Sequence, residues 1–193
     1  MTVGGAAAGA LAFVGLGSNQ GDSTAFLAAA VTGLGALPGT SVVARSSLYR
    51  TAAVGVEDQP DFLNQVVALR TVRGPLELLV AGQALETAAH RVRGVRWGPR
   101  TLDVDILWYD GKTLGGERLT LPHPRLEERR FVLEPLAELA PDLVLPSGRT
   151  VAQALALVAD QTVMRVADEP NSTVAGGAPP RAGALSGPEH DEG

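Results

Sequence analysis

Between residues 10 and 109 the apolar residues repeat with a strand period, then a helix period, then twice as strands, then as a helix and finally as a strand again, an order that few folds accept. ALAFVGLG (10–17) is a short apolar run ending in glycines and reads as a buried strand. STAFLAAAVTGLGALPG follows as a helix, with Phe26, Ala30 and Leu34 at helical spacing, Asp22 or Ser23 as N-cap and Pro38-Gly39 as the stop. SVVARSSLYRT (41–51) and FLNQVVALRTV (62–72) read as strands joined by the turn-rich AAVGVEDQPD. A helix then runs from Pro75 to about His90, with Leu76, Leu79, Ala84 and Leu85 as its apolar positions. A strand within RWGPRTLDVDILWY (96–109) closes the series. This is the βαββαβ order of an α+β, ferredoxin-like domain, an antiparallel sheet with helices packed on one side. Further on, LEERRFVLEPLAELAP suggests helical turns and TVAQALALVAD a short helix, enough to cover more of the sheet.

The rest of the chain sets limits. Its 193 residues, 45% of them hydrophobic, suit one domain with a sizeable core. We expect that domain over residues 10–168, after a flexible N-terminus (1–9). From Glu169 onward the chain is rich in Gly, Pro and Ala and lacks periodicity, so 169–193 reads as a disordered tail. A net charge of −5 argues against a general affinity for nucleic acid or an anionic membrane. The absence of Cys fits a reducing cytoplasm and leaves no thiolate metal site. The apolar opening lacks the basic n-region of a signal peptide, and no apolar run approaches the ~18 residues that span a bilayer. We expect a cytoplasmic monomer.

The closing strand carries the chemistry. If 102–109 is extended, Leu102, Val104 and Ile106 share one face while Asp103 and Asp105 share the other. Two residues of strand rise separate the aspartates by ~6.6–6.8 Å at Cα, close enough to serve one hard cation or a pair of them. A solvated polar strand face would look the same, but the arginines favour the metal reading. Arg91, Arg93, Arg96 and Arg100 precede the pair, and Arg118, Arg125, Arg129 and Arg130 follow it. Carboxylates holding metal beside forked guanidinium groups make a site for a substrate with several phosphates. Of the basic residues, only Lys112 is lysine. The glycines of VGLGSNQGD fit neither a dinucleotide fingerprint nor a GxxxxGK[ST] phosphate loop, so a nucleotide would be held by other means. His123 stands between two prolines, and Phe62 and Phe131 are either core residues or the two stacking faces for a flat ring, with Asn64 in phase to bond its edge.

In this order GLGSNQGD, SSLYRTAAVGVEDQPDFLNQVV, RWGPRTLDVDIL, ERLTLPHPRLEERRFVLEPL and ELAPDLVLP resemble the 6-hydroxymethyl-7,8-dihydropterin pyrophosphokinases of folate biosynthesis, over roughly residues 11–160. The resemblance implies a ferredoxin-like core made into a three-layer α-β-α domain by extra helices. It implies transfer of the terminal two phosphates of the co-substrate ATP, as a unit, to the hydroxymethyl oxygen of 6-hydroxymethyl-7,8-dihydropterin, leaving AMP. Asp103 and Asp105 would hold two magnesium ions, with Arg91, Arg93 and Arg100 acting beside them in catalysis. Gln83, Glu86, Arg96, Trp97, Ile106, Arg118, Thr120, His123 and Arg129 would bind ATP. Gly17, Thr51, Val54, Phe62, Asn64 and Phe131 would line the pterin pocket. Segments 52–60 and 91–98 correspond to the family's mobile loops.

The chain departs from the family pattern in places: Ala52-Ala53 stands where Pro-Pro is frequent, Phe62 where Tyr is, and Pro124 where an aromatic often follows the motif histidine. The arginine segment is a residue shorter than in some relatives. Two other readings compete. A non-catalytic, ligand-binding regulatory domain of the same fold would have no use for aspartates beside arginines. An RNA-binding module would show a basic, aromatic sheet face, against which stand the acidic balance and the 4% aromatic content.

Overall fold

The computed structural model describes residues 9–53, 59–91 and 98–166. The elements run β1 (Ala10–Ser18), α1 (Ser23–Gly35), β2 (Thr40–Arg45), β3 (Tyr49–Thr51), β4 (Phe62–Thr71), α2 (Pro75–Ala88) and β5 (Asp103–Tyr109). A 3-10 turn (Leu126–Glu128), α3 (Arg130–Leu139), α4 (Val151–Leu157) and the short β6 (Met164–Arg165) complete them. In the sheet β5 pairs with β1 and β1 with β4; β2 and β3 share the far side of β4, and β6 lies outside β3. Every pairing is antiparallel.

Both faces of the sheet are covered. Ala12, Val14, Leu16, Val67, Leu69, Val104 and Ile106 pack against Leu27, Ala30 and Leu34 of α1 and Leu78 of α2. Leu11, Phe13, Val66, Ala68 and Leu107 face the other way, under Leu133 and Leu136 of α3 and Val151 and Ala154 of α4. Burial on both faces explains why β1 and β4 read as nearly continuous apolar runs. The sheet is therefore the middle one of three layers, as the resemblance implied.

The single strand expected over 41–51 is two strands. At Ser46 the hydroxyl, not a carbonyl, accepts the Val66 amide (3.0 Å), and the Ser46 carbonyl accepts from Gln65 Nε2 (2.8 Å). A side chain has entered the ladder, and the strand breaks there. Asp22 is the N-cap of α1, its carboxylate accepting from Ala25 N at 3.0 Å. In α1 Leu27 is buried in place of the expected Phe26, which is only half-buried.

In α2 the expected face is met only in part: Leu79 and Leu85 are half-buried against the core, but Leu76 and Ala84 are exposed, and the fully buried stripe is Leu78, Gly82 and Glu86. Apolar counting missed this stripe because two of its three members are a glycine and a carboxylate. Gly82 lets the helix lie close on β5, since a Cβ there would stand 2.9 Å from Val104 Cγ1. We expect Gly82→Val to cost about 1–3 kcal/mol through overpacking against a stiff β-branched neighbour. A thermal melt unchanged from wild type would refute that close approach.

Candidate active site

The site grows from one row of the sheet. Gly17 of β1 lies opposite Asn64 of β4 on one side and Asp103 of β5 on the other. A Cβ on Gly17 would meet Asn64 Oδ1 at 3.4 Å and Asp103 Cβ at 3.8 Å, so the missing side chain leaves a floor between an amide and a carboxylate. Asn64 is buried, and its Nδ2 donates to Thr51 Oγ1 at 2.9 Å, holding the amide in place. Phe62, two residues earlier, shares its face, as the strand period requires. This brings Gly17, Thr51, Phe62 and Asn64 together beside the acidic pair, on the side of the sheet that α3 covers farther along.

An arginine clamp stands over Asp103. Helix α2 ends in a Schellman arrangement: Arg91 N donates to Glu86 O (3.0 Å) and His90 N to Thr87 O (3.0 Å), with His90 left-handed at φ 55°. That turn sends the Arg91 guanidinium back over its own helix, where it pairs with the Glu86 carboxylate and, through Nη2, with Asp103 Oδ1 at 2.6 Å. Arg100 Nη1 donates to Asp103 Oδ2 at 2.5 Å. Glu86 Oε1 also accepts the Val104 amide at 2.9 Å. Burial raises the Glu86 carboxyl above its usual range, against the opposing pull of Val104 N–H and Arg91.

A second group lines a cleft of about 230 Å³ along the free edge of β5, formed by Asp105, Ile106, Arg118, Thr120, His123 and residues between them. Desolvation first, and the charge of Asp103 second, raise the Asp105 carboxyl. Its side chain is nonetheless open to solvent, which moderates the rise. His123 N donates to Leu107 O (2.8 Å), and its Nδ1 accepts from Arg125 N (3.1 Å), which assigns the ring proton to Nε2. Desolvation lowers its pKa, so the ring is a neutral donor at pH 7. The Arg129 guanidinium lies 5.5 Å from the centre of the Phe131 ring, at the start of α3. Gln83 is exposed on α2, beside the buried stripe. Val54, Arg93, Arg96 and Trp97 lie outside the described residues, as does most of both expected mobile loops.

The donor set suits a hard cation. Asp103 and Asp105 offer only oxygen, and a positive ion held there would relieve the repulsion that helps raise the Asp105 carboxyl; both Asp103 oxygens are here paired with Arg91 and Arg100, which such an ion would have to displace. Among the described residues no three His, Cys, Asp or Glu gather around one point. Magnesium accepts such a partial site, keeping waters and taking substrate phosphate oxygens for the rest. Sequence reasoning passed over one buried polar residue here, Asn19, which is only 3% exposed. Its signal was an amide placed directly after an apolar strand, inside the motif GLGSNQGD.

A three-layer α+β domain whose sheet end carries paired carboxylates, clamping arginines and a buried amide has the parts of a phosphoryl-transfer enzyme. Residues 13–141 match the family model of 7,8-dihydro-6-hydroxymethylpterin-pyrophosphokinase (HPPK). The chain is 52% identical over 155 residues to the 2-amino-4-hydroxy-6-hydroxymethyldihydropteridine pyrophosphokinase of Methylorubrum extorquens, covering 80% of this chain and 98% of that one. It is 49% identical over 144 residues to the protein of the same name from Pseudomonas aeruginosa, covering 75% and 89%. In fold it is similar to the crystal structure of an HPPK-DHPS in complex with substrates, with a TM-score of 0.59 at 14% identity over 79% of this chain and 44% of that one. The chain thus spans less than half the length of that crystallised protein. This chain belongs to the HPPK family, and its enzyme class is that of the pyrophosphokinases.

Proposed function

We propose that this protein moves the terminal diphosphate of ATP, as one unit, onto the hydroxymethyl oxygen of 6-hydroxymethyl-7,8-dihydropterin, releasing AMP, within folate biosynthesis. The observation that carries this reading is the row Asp103, Gly17, Asn64. A flat heterocycle bonded by the Asn64 amide would then lie beside a carboxylate on the phosphate side, with no Gly17 side chain between them.

Phe62 and Phe131 stack the pterin, and Asn64, held by Thr51, bonds its edge. Arg91 and Arg100 approach from the two ends of the arginine segment and neutralise phosphate charge, as does Arg118 at the edge of β5. Neutral His123 donates from Nε2 to a phosphate oxygen. In the reaction the hydroxymethyl oxygen loses its proton to solvent and bonds to the β-phosphorus while the bond from that phosphorus to the α,β-bridging oxygen breaks, and AMP leaves with the bridging oxygen. Two magnesium ions on Asp103 and Asp105 would supply neutralisation of the triphosphate charge. The protein's part is to hold the attacking oxygen in line and keep the groups charged and oriented.

The direct test incubates the protein with magnesium, ATP and the hydroxymethyl-dihydropterin. AMP and pterin diphosphate are expected; ADP would mean single-phosphate transfer, and no turnover with intact ligand binding would favour a regulatory domain. Phe62→Ala should weaken pterin binding by roughly 0.5–1.5 kcal/mol beyond the lost area while sparing ATP. Separate titrations decide it, and equal losses for both ligands would make Phe62 a core residue.

No helix among the described residues is long and apolar enough to cross a membrane. We read the active unit as a cytoplasmic monomer made by residues 10–168. Removing residues 169–193 should leave melting temperature and AMP formation nearly unchanged, because that composition buries too little apolar surface to offset its ordering entropy. A large loss of either would give the segment a role.

A further inference from the structure

Asn19 stands where the two halves of the site meet, and no role in the reaction has so far been given to it. It follows the last residue of β1 and is 3% exposed. Its Oδ1 accepts from Arg100 N at 2.7 Å, and its own backbone N donates to Arg100 O at 3.0 Å. Its Nδ2 donates to Pro60 O at 3.1 Å and to Gln59 Oε1 at 3.3 Å. The orientation of the amide is settled by its partners, since Arg100 N can only donate and Pro60 O can only accept.

Each partner leads into a different half of the site. Arg100 carries the guanidinium that holds Asp103, on the phosphate side. Pro60 leads within two residues to Phe62, which pairs with Thr51 on the pterin side. A single amide, accepting from one half and donating to the other, links them. Aspartate cannot donate, serine has one proton to give, and an aliphatic side chain has nothing to offer either partner. A buried amide with both its oxygen and its nitrogen bonded is costly to disturb.

We propose that Asn19 is a positioning residue that couples the pterin half of this site to the phosphate half. The inference rests on the pyrophosphokinase reading given above. Its consequence is energetic coupling: ligand on the phosphate side steadies Arg100, Asn19 steadies Pro60, and the pterin then finds its pocket already ordered.

Asn19→Asp separates this from a purely structural role, because it keeps the acceptor for Arg100 N and deletes both donors toward Pro60 and Gln59. Pterin and a magnesium-bound, non-hydrolysable ATP analogue are titrated calorimetrically, each alone and each in the presence of the other. In wild type the analogue should tighten pterin binding. In N19D the analogue alone should bind within about twofold of wild type, while pterin binding in its presence should weaken by about tenfold, or 1.4 kcal/mol, with most of the coupling gone. Gln59→Ala, which leaves Arg100 untouched, should shift pterin in the same direction by less, and it serves as the test if N19D does not fold. Equal losses for both ligands, or unchanged pterin binding and coupling, overturn the inference. Wild-type protein that binds both ligands without coupling also overturns it. Wild-type protein that binds neither ligand overturns the pyrophosphokinase reading as well.

Discussion

Replacing Asp105 by Asn is expected to lower AMP formation by about 10²–10³-fold, the effect of deleting one preorganised electrostatic contact, and to raise the magnesium concentration needed for half-maximal rate. Asn is nearly isosteric, so strand β5 should keep its pairing with β1. The same substitution should raise thermal stability slightly. The folded state lifts the Asp105 carboxyl above the ordinary range, through desolvation first and Asp103 second, a rise that its exposure to solvent moderates. The ionised group therefore subtracts stability at neutral pH, and that cost fades as the pH falls through the raised value. The advantage of Asn should accordingly be present at pH 7 without magnesium and vanish in acid. An aspartate on a merely solvated strand face would also tolerate Asn in a melt, but it would leave turnover alone. Wild-type turnover in D105N would remove Asp105 from the mechanism.

Glu86→Ala should produce the largest loss of stability among substitutions near the site, about 2–3 kcal/mol. It removes one of the two carboxylates that hold Arg91, Asp103 being the other, and leaves the Val104 amide without its acceptor. For a chain of this size that corresponds to a fall in Tm of roughly 4–12 °C. Glu86→Gln keeps an acceptor for Val104 N and should recover about half of the loss. Both variants should weaken ATP more than pterin, because Arg91 loses one of its two anchors and keeps only Asp103. If E86A melts with wild type, the carboxylate is not the brace that its contacts suggest.

The order of periods along the chain determined the α+β topology, because a pleated strand and a helix impose incompatible spacings on apolar residues. The alternation within LDVDIL likewise placed Asp103 and Asp105 on one face, and their carboxylates do lie on the side of the sheet opposite Val104 and Ile106. Local rules also found the Asp22 cap and the proline at the start of α2, features complete within a few residues of chain.

Only the tertiary structure decided the rest. Ser46 breaks a strand because Val66, on a neighbouring strand, donates to its hydroxyl. Glu86 belongs to the buried stripe of α2 because Gly82 brings that helix close to β5 and the Val104 amide meets the carboxylate. No count of apolar residues along the helix contains that contact. Asn19 acquires its importance from Arg100, 81 residues away, and Pro60, 41 residues away. Periodicity reports which way a side chain points within its own element. Which polar group it meets there is set by the packing of elements distant in sequence, and buried hydrogen bonds and ion pairs are what that packing makes worth keeping.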